Sequence, residues 1–217
     1  MSPPPPDQTE GGLELLRRFA KSRAQVERCD LCAREIGVEH EHLIDPAERR
    51  LACACGPCAV LFSSQTGARL KRVPRDVRAL DDLTINDAQW EALRLPIDLA
   101  FFYQSTPQGR VVACYPSPAG ATESLLELDT WSEIRASHPA LPDLQPDVQA
   151  LLVHRVRRGA GPGGCFLVPI DQCFRLVGII RVHWKGFTGG AEVWSQIDRF
   201  FADLRSRARG GRVSLDA

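Results

Sequence analysis

The hydrophobic pattern changes character several times along this 217-residue chain. Residues 1–12, MSPPPPDQTEGG, carry no apolar period, and four consecutive prolines beside paired glycines predict an extended, disordered tail. From Leu13 to about Val26, LELLRRFAKSRAQV sets Leu13, Leu16, Phe19 and Ala20 at helical spacing among basic residues. That predicts a short amphipathic helix whose apolar stripe needs a partner surface. EHEHLIDPAERRLACA then alternates, which predicts a short strand, a turn at Asp45-Pro46 and a second strand. GARLKRVPRDVRAL follows as a basic connector.

Downstream the apolar runs lengthen. Asn86 or Asp87 is placed to cap a helix DAQWEALRL, and IDLAFFYQS and RVVACYPS predict two strands joined by TPQG as a hairpin turn. SPAGATES reads as a loop and LLELD as a short strand, and Asp129 is placed to cap a helix through TWSEIRASH that stops before Pro139. VQALLVHRVR and CFLVPI predict a second hairpin across GAGPGG. Two helices close the pattern. QCFRLVGIIRVHW has Asp171 as its expected cap, and AEVWSQIDRFFADLRSRA carries Val193, Ile197, Phe200, Phe201 and Leu204 on one face.

Hairpins separated by helices, without strict strand–helix–strand alternation, give an α+β fold class with a mostly antiparallel sheet and C-terminal helices. The expected organisation is a tail over 1–12, a helix with a Cys-rich metal unit and connector over 13–80, the α+β body over 81–208, and a flexible tail over 209–217.

Composition narrows the function classes. The 27 basic residues balance the 27 acidic ones, so no net charge draws the chain toward nucleic acid or an anionic membrane. No segment approaches the roughly 18 uncharged apolar residues of a membrane span, and the N-terminus lacks the charged and apolar regions of a signal peptide. The expectation is a cytoplasmic protein, in which thiols stay reduced. The basic run from Arg69 to Arg78 has no interleaved aromatic for base stacking, so a solvated connector without specific nucleic-acid binding is expected.

Eight cysteines alter the picture, because five of them fall within residues 29–58. Cys29-x2-Cys32 and Cys55-x2-Cys58 are two pairs at the spacing that turns both sulfurs toward one point, and two such pairs make a tetrahedral thiolate cage. The unit they predict runs knuckle, hairpin, knuckle over residues 27–62, similar to a treble clef or zinc ribbon. It is too short to bury a core and would draw about 10 kcal/mol or more of folding free energy from the ion. Zinc and a rubredoxin-type iron both suit four thiolates by count. Rubredoxin knuckles place glycine directly after the second cysteine, and Ala33 and Ala59 stand there, which favours structural Zn2+ over Fe.

Cys53 is a fifth thiol for four positions: it can exchange with the second pair, make an outer contact to it, or face the core beside Leu51. His40 and His42 flank Glu41 on a predicted strand, which puts both imidazoles on one face. They are either alternates in a mixed Cys/His site, ligands of a second open one, or part of a solvated strand, the reading the filled tetrahedron favours. Cys114, Cys165 and Cys173 lie in apolar stretches and are expected to be core residues.

No Ser/His/Asp or Cys/His arrangement is marked by local sequence and no P-loop or dinucleotide fingerprint is present, so no catalytic residue is assigned. Two loops mix small residues, a carboxylate and aromatic neighbours in a way that suits a partner or ligand: 115–124, with Ser117 and Glu123, and 183–194, with Trp184, Lys185 and Glu192.

Two resemblances add to this reading. CDLC through HEHLID is similar to the zinc-stabilised hairpin of HNH nucleases, but AVLFSSQTG after Cys58 supplies neither the asparagine nor the histidine that such nucleases use for phosphodiester cleavage. RCDLC, EHEHLID, RRLACACGPCAVLF, LPIDLAFFYQSTPQGRVVACYPSPAGATESLLELDTW and FLVPIDQCFRLVGIIRVHWKGFTGGAEVW together resemble an uncharacterised actinobacterial-type family encoded beside [NiFe]-hydrogenase genes. The resemblance implies a non-enzymatic accessory protein, contacting a hydrogenase subunit or maturation factor. A rubredoxin-like electron carrier for the hydrogenase is the alternative it implies.

Overall fold

The computed structural model describes residues 26–65, 67–124, 128–155, 163–186 and 188–210. The proline-rich tail, the helix expected from Leu13 (Val26 apart), most of the GAGPGG turn and residues 211–217 lie outside these. The described chain holds ten strands and five helices in two sheets. It is an α+β structure in which the sheets are almost wholly antiparallel.

The smaller sheet has the order β2-β1-β3, with β1 at Glu41–Asp45, β2 at Arg50–Ala54 and β3 at Lys71–Arg72. The turn at Asp45-Pro46 forms where predicted, because the Asp45 carboxylate accepts the N–H groups of Ala47 and Glu48. After β2 comes α1, Gly56–Ser63. This corrects the expected second knuckle: Cys55 is the N-cap residue and Pro57 lies in the first turn, where a missing N–H costs nothing and a fixed φ favours the helix.

The larger sheet runs β10-β4-β9-β8-β5-β6-β7. Its strands are β4 (Arg78–Ala79), β5 (Leu99–Ser105), β6 (Arg110–Ser117), β7 (Gly120–Ser124), β8 (Gln149–His154), β9 (Gly164–Pro169) and β10 (Arg209–Gly210), which pairs parallel to β4. Both predicted hairpins, β5–β6 and β8–β9, are present.

Two further expectations are corrected here. The segment read as a loop, SPAGATES, supplies β7, because Ser117 Oγ accepts from the Ala119 N–H and donates to the Gly120 carbonyl, closing a tight turn. The residues LLELD are not a strand that the structure describes; Leu128 already begins a helix, so Asp129 sits inside it rather than capping it. The basic connector also does more than span a gap. It contributes β3 to one sheet and β4 to the other, and Val73 and Val77 are buried.

Four helices cover both faces of the larger sheet. α2 (Asp87–Ala92) and α3 (Leu128–Ala136) lie on one side, where Trp90, Leu93, Trp131 and Ile134 pack against Phe102, Ala113, Leu151 and Leu167. Asn86 caps α2 in a capping box with Gln89. Phe102 and Trp131 stack at 5.1 Å between ring centroids, a contact worth about 1 kcal/mol beyond burial.

On the other side, α4 (Ile170–His183) and α5 (Gly190–Arg207) bury Leu176, Ile180, Val193, Ile197, Phe201 and Leu204 against Phe101, Leu152 and Phe166. Coverage on both faces explains why β8 is buried at every position and carries the unbroken apolar run Ala150–Val153. Gly189, with φ 83°, makes the turn between α4 and α5; a Cβ there would stand 2.8 Å from Val193 Cγ1.

The β1–β2 hairpin lies between two cores. Leu43 and Ala54 face a small cluster with Cys29, Cys55 and Ala59, while Ile44 and Leu51 on the opposite face join the main core beside Phe174. Three polar links tie the small sheet to the body: His42 to Asp171 at 2.6 Å, Arg49 to Glu123 at 2.9 Å, and Lys71 to the buried Asp147 at 2.5 Å.

Candidate metal centre

Arg28 and Glu35 bridge the base of a tight loop, and within it the Ala33 N–H donates to the Cys29 carbonyl while the Cys29 N–H donates to the Arg34 carbonyl. This knuckle forces Ala33 to φ 60°, a left-handed conformation that non-glycine residues adopt at a cost. The strand β2 delivers Cys55 to the start of α1, and one helical turn brings Cys58 back beside it.

The result is convergence. One sulfur from each of Cys29, Cys32, Cys55 and Cys58 lies within 4.8 Å of the other three, with Cys32 and Cys55 at 3.7 Å. All four are free thiols rather than disulfides. Bonds of about 2.3 Å in a tetrahedron require sulfurs about 3.8 Å apart, so the cage needs only slight closure to hold a metal ion.

The electrostatics suit a cation. Burial pushes the Cys29 thiol up, but the backbone N–H groups of Cys55, Leu31 and Cys32 that point at its sulfur outweigh this and bring it down to about 6. Hydrogen bonding to Cys55, then burial and the negative Cys29 nearby, push Cys58 up to about 12. The first thiol to ionise therefore opposes the last, and a divalent ion removes that opposition.

The remaining site candidates fall elsewhere. Cys53, His40 and His42 form a second group, again with one ligand atom each within 4.8 Å. His42 stands opposite Cys53 in the β1–β2 ladder, and His40 is two residues away on the same face. His42 Nδ1–H donates to Asp171, and this bond raises the imidazole above its ordinary value against the effect of burial. Asp171 was expected to cap α4; that helix starts at Ile170 after Pro169, leaving Asp171 in its first turn and free to reach the hairpin.

The two loops singled out from sequence meet. Tyr115, Ser117, Trp184 and Trp194 line one cavity of 750 Å³ beside β5 and α5. Lys185 pairs with Glu192 at 2.6 Å, and Glu123 turns away to bind Arg49 and Arg110. Cys114, Cys165 and Cys173 are buried as expected, and burial pushes the first two thiols up to about 12 and about 11.

Sequence reasoning missed Asp30 and the contact of Asp171 with the hairpin. Asp30 links the first knuckle to β2, and its place between two cysteines could have suggested it; Asp171, 129 residues from His42, left no local signal. Basic residues of the connector are engaged in ion pairs, Arg69 with Asp45 and Glu48, Arg72 with Glu41. No helix of the described residues is long and apolar enough to cross a membrane.

No curated protein and no solved structure matches the chain. Residues 28–208 match a family of unknown function, DUF5947, a span that runs from the first knuckle to the end of α5. The chain belongs to the DUF5947 family.

Proposed function

We propose that this protein is a zinc-stabilised accessory protein that works by contact with another protein. The observation that carries the reading is the convergence of Cys29, Cys32, Cys55 and Cys58 at the base of a segment with only a small core of its own. Knuckle, hairpin and helix in that order, with the second thiol pair in the first helical turn, is a treble-clef arrangement. Four thiolates leave no coordination position for water, so the ion's role here is to hold the fold.

Zinc is preferred to iron for a structural reason. A rubredoxin centre uses two knuckles, whereas the second pair here belongs to α1 and Ala33 occupies the position that a knuckle glycine would fill. Support for a protein contact comes from α1 itself, which exposes Val60, Leu61 and Phe62 at 55, 59 and 44%. The partner class, a [NiFe]-hydrogenase subunit or maturation factor, rests on the sequence resemblance.

The test has two parts. Elemental analysis of untagged protein is expected to give zinc and a colourless solution; a red protein with thiolate-to-iron charge-transfer bands would replace this reading with the electron carrier. Affinity capture from cells expressing a hydrogenase is expected to bring down hydrogenase components, and Leu61→Asp is expected to abolish capture with zinc retained. Capture of none by the native protein counts against the hydrogenase role.

A further inference from the structure

We propose that His40, His42 and Cys53 form a second metal site, separate from the four-cysteine cage, that takes a divalent transition cation of the zinc class and keeps one coordination position open. The three side chains share the body-facing side of the β1–β2 hairpin, and a ligand atom from each lies within 4.8 Å of the others. Two imidazoles and a thiol are a donor set for Zn2+ or Co2+ and a poor one for Mg2+ or Ca2+.

The hydrogen bonds around the imidazoles orient them for this task. His40 Nδ1–H donates to the Gly37 carbonyl at 2.8 Å, with Glu27 Oε2 3.3 Å away, and His42 Nδ1–H donates to Asp171 Oδ2 at 2.6 Å. With each Nδ1 carrying the proton, each Nε2 is left with its lone pair. His40 Nε2 is buried and has no hydrogen-bond partner, on a side chain only 8% exposed. A buried acceptor without a donor is costly, and a cation in front of it satisfies it.

The outer contacts also match a metal centre. Carboxylate-to-histidine bonds such as Asp171 to His42 fix the ring and raise its basicity as a ligand. Glu27, Asp30 and Asp171 bring three carboxylates around the group, and Asp30 accepts the backbone N–H of Cys53 itself. That field attracts a cation. The two imidazoles meet edge to face, with centroids 4.8 Å apart, so they are not stacked on one another. Three protein ligands leave the fourth tetrahedral position for water or for a donor brought by another molecule, the pattern that distinguishes reactive zinc sites from structural ones.

The test is a titration of metal-free full-length chain with Co2+ alone, followed by visible absorption, and a parallel count of zinc per chain. Native protein is expected to take up two equivalents. His40→Ala and Cys53→Ser are each expected to take up one, with the tetrathiolate bands unchanged. Cys32→Ser is expected to lose those bands. Asp171→Asn, which leaves all three ligands in place, is expected to weaken the second equivalent by about 10- to 100-fold. A native protein that binds a single equivalent, or a His40→Ala variant that binds two, overturns the proposal. A native protein that binds one equivalent with tetrathiolate bands lacks this site, whereas one without those bands lacks the four-cysteine cage, so the two failures are separable.

Discussion

Asp30 and Cys53 hold each other by two hydrogen bonds: the Asp30 N–H donates to the Cys53 carbonyl at 2.8 Å, and the Cys53 N–H donates to the Asp30 carboxylate at 2.6 Å. The pair locks the first knuckle to β2, so the spacing of the two thiol pairs depends on it. Asp30→Ala removes the side-chain bond and is expected to cost about 1–2 kcal/mol. Chemical denaturation measures that loss, and zinc release after thiol modification should be faster than in the native protein. Release at the native rate would mean that the clamp does not govern the cage.

Ala33 takes a left-handed conformation at φ 60° inside the same knuckle. Glycine adopts it without the Cβ clash, so Ala33→Gly is expected to stabilise the protein by about 1 kcal/mol, read as a raised Tm with unchanged metal content. A lowered Tm would show that the alanine methyl contributes more through packing than it costs in strain.

Removal of an ion held by the proposed cage would act on the two cores differently. The cluster around Leu43, Ala54 and Ala59 is small, whereas the body buries two large clusters on either face of its sheet. Chelation is therefore expected to abolish hydrogen-exchange protection in Glu41–Asp45, Arg50–Ala54 and Gly56–Ser63 while β5, β6, β8 and β9 stay protected. Uniform loss of protection would instead make the whole chain one cooperative unit.

Glu123 gives the stability of the fold an acid dependence. Burial alone would raise its carboxyl, but the Arg49 and Arg110 guanidiniums overcome this and hold it below its ordinary value of 4.5. A folded-state value below the unfolded one adds stability that is present above the unfolded value and is lost as pH falls through the folded one. Native protein should thus lose stability as pH falls below about 4.5, and Glu123→Gln should start less stable at neutral pH with a shallower decline. Parallel pH profiles for the two proteins would exclude this contribution.

Much of the body was legible because its signals are local. Asn86 followed by Gln89, the apolar face from Val193 to Leu204, and the β-rich runs around Phe101 and Val112 each specify an element within one short window. The thiol spacing likewise marks the cage, since Cys-x2-Cys geometry is a property of four residues. What escaped needs the fold. Pro57 at a helix start resembles a turn residue until the helix is seen, and the two-residue strands in the connector exist only because neighbours pair with them. Asp171 looks like a helix cap by position, and its partner comes from the other end of the chain.

The hairpin that separates the two cores presents opposite sides to them, with Leu43 and Ala54 toward one and Ile44 and Leu51 toward the other. Deleting one residue from β2 would invert that assignment at every downstream position, turning Cys53 to the face where alanine belongs and misplacing Cys55 by a full rung. Point changes along this segment are therefore absorbed one at a time, whereas a change in its length cannot be. Related chains should vary here in lettering and stay constant in count.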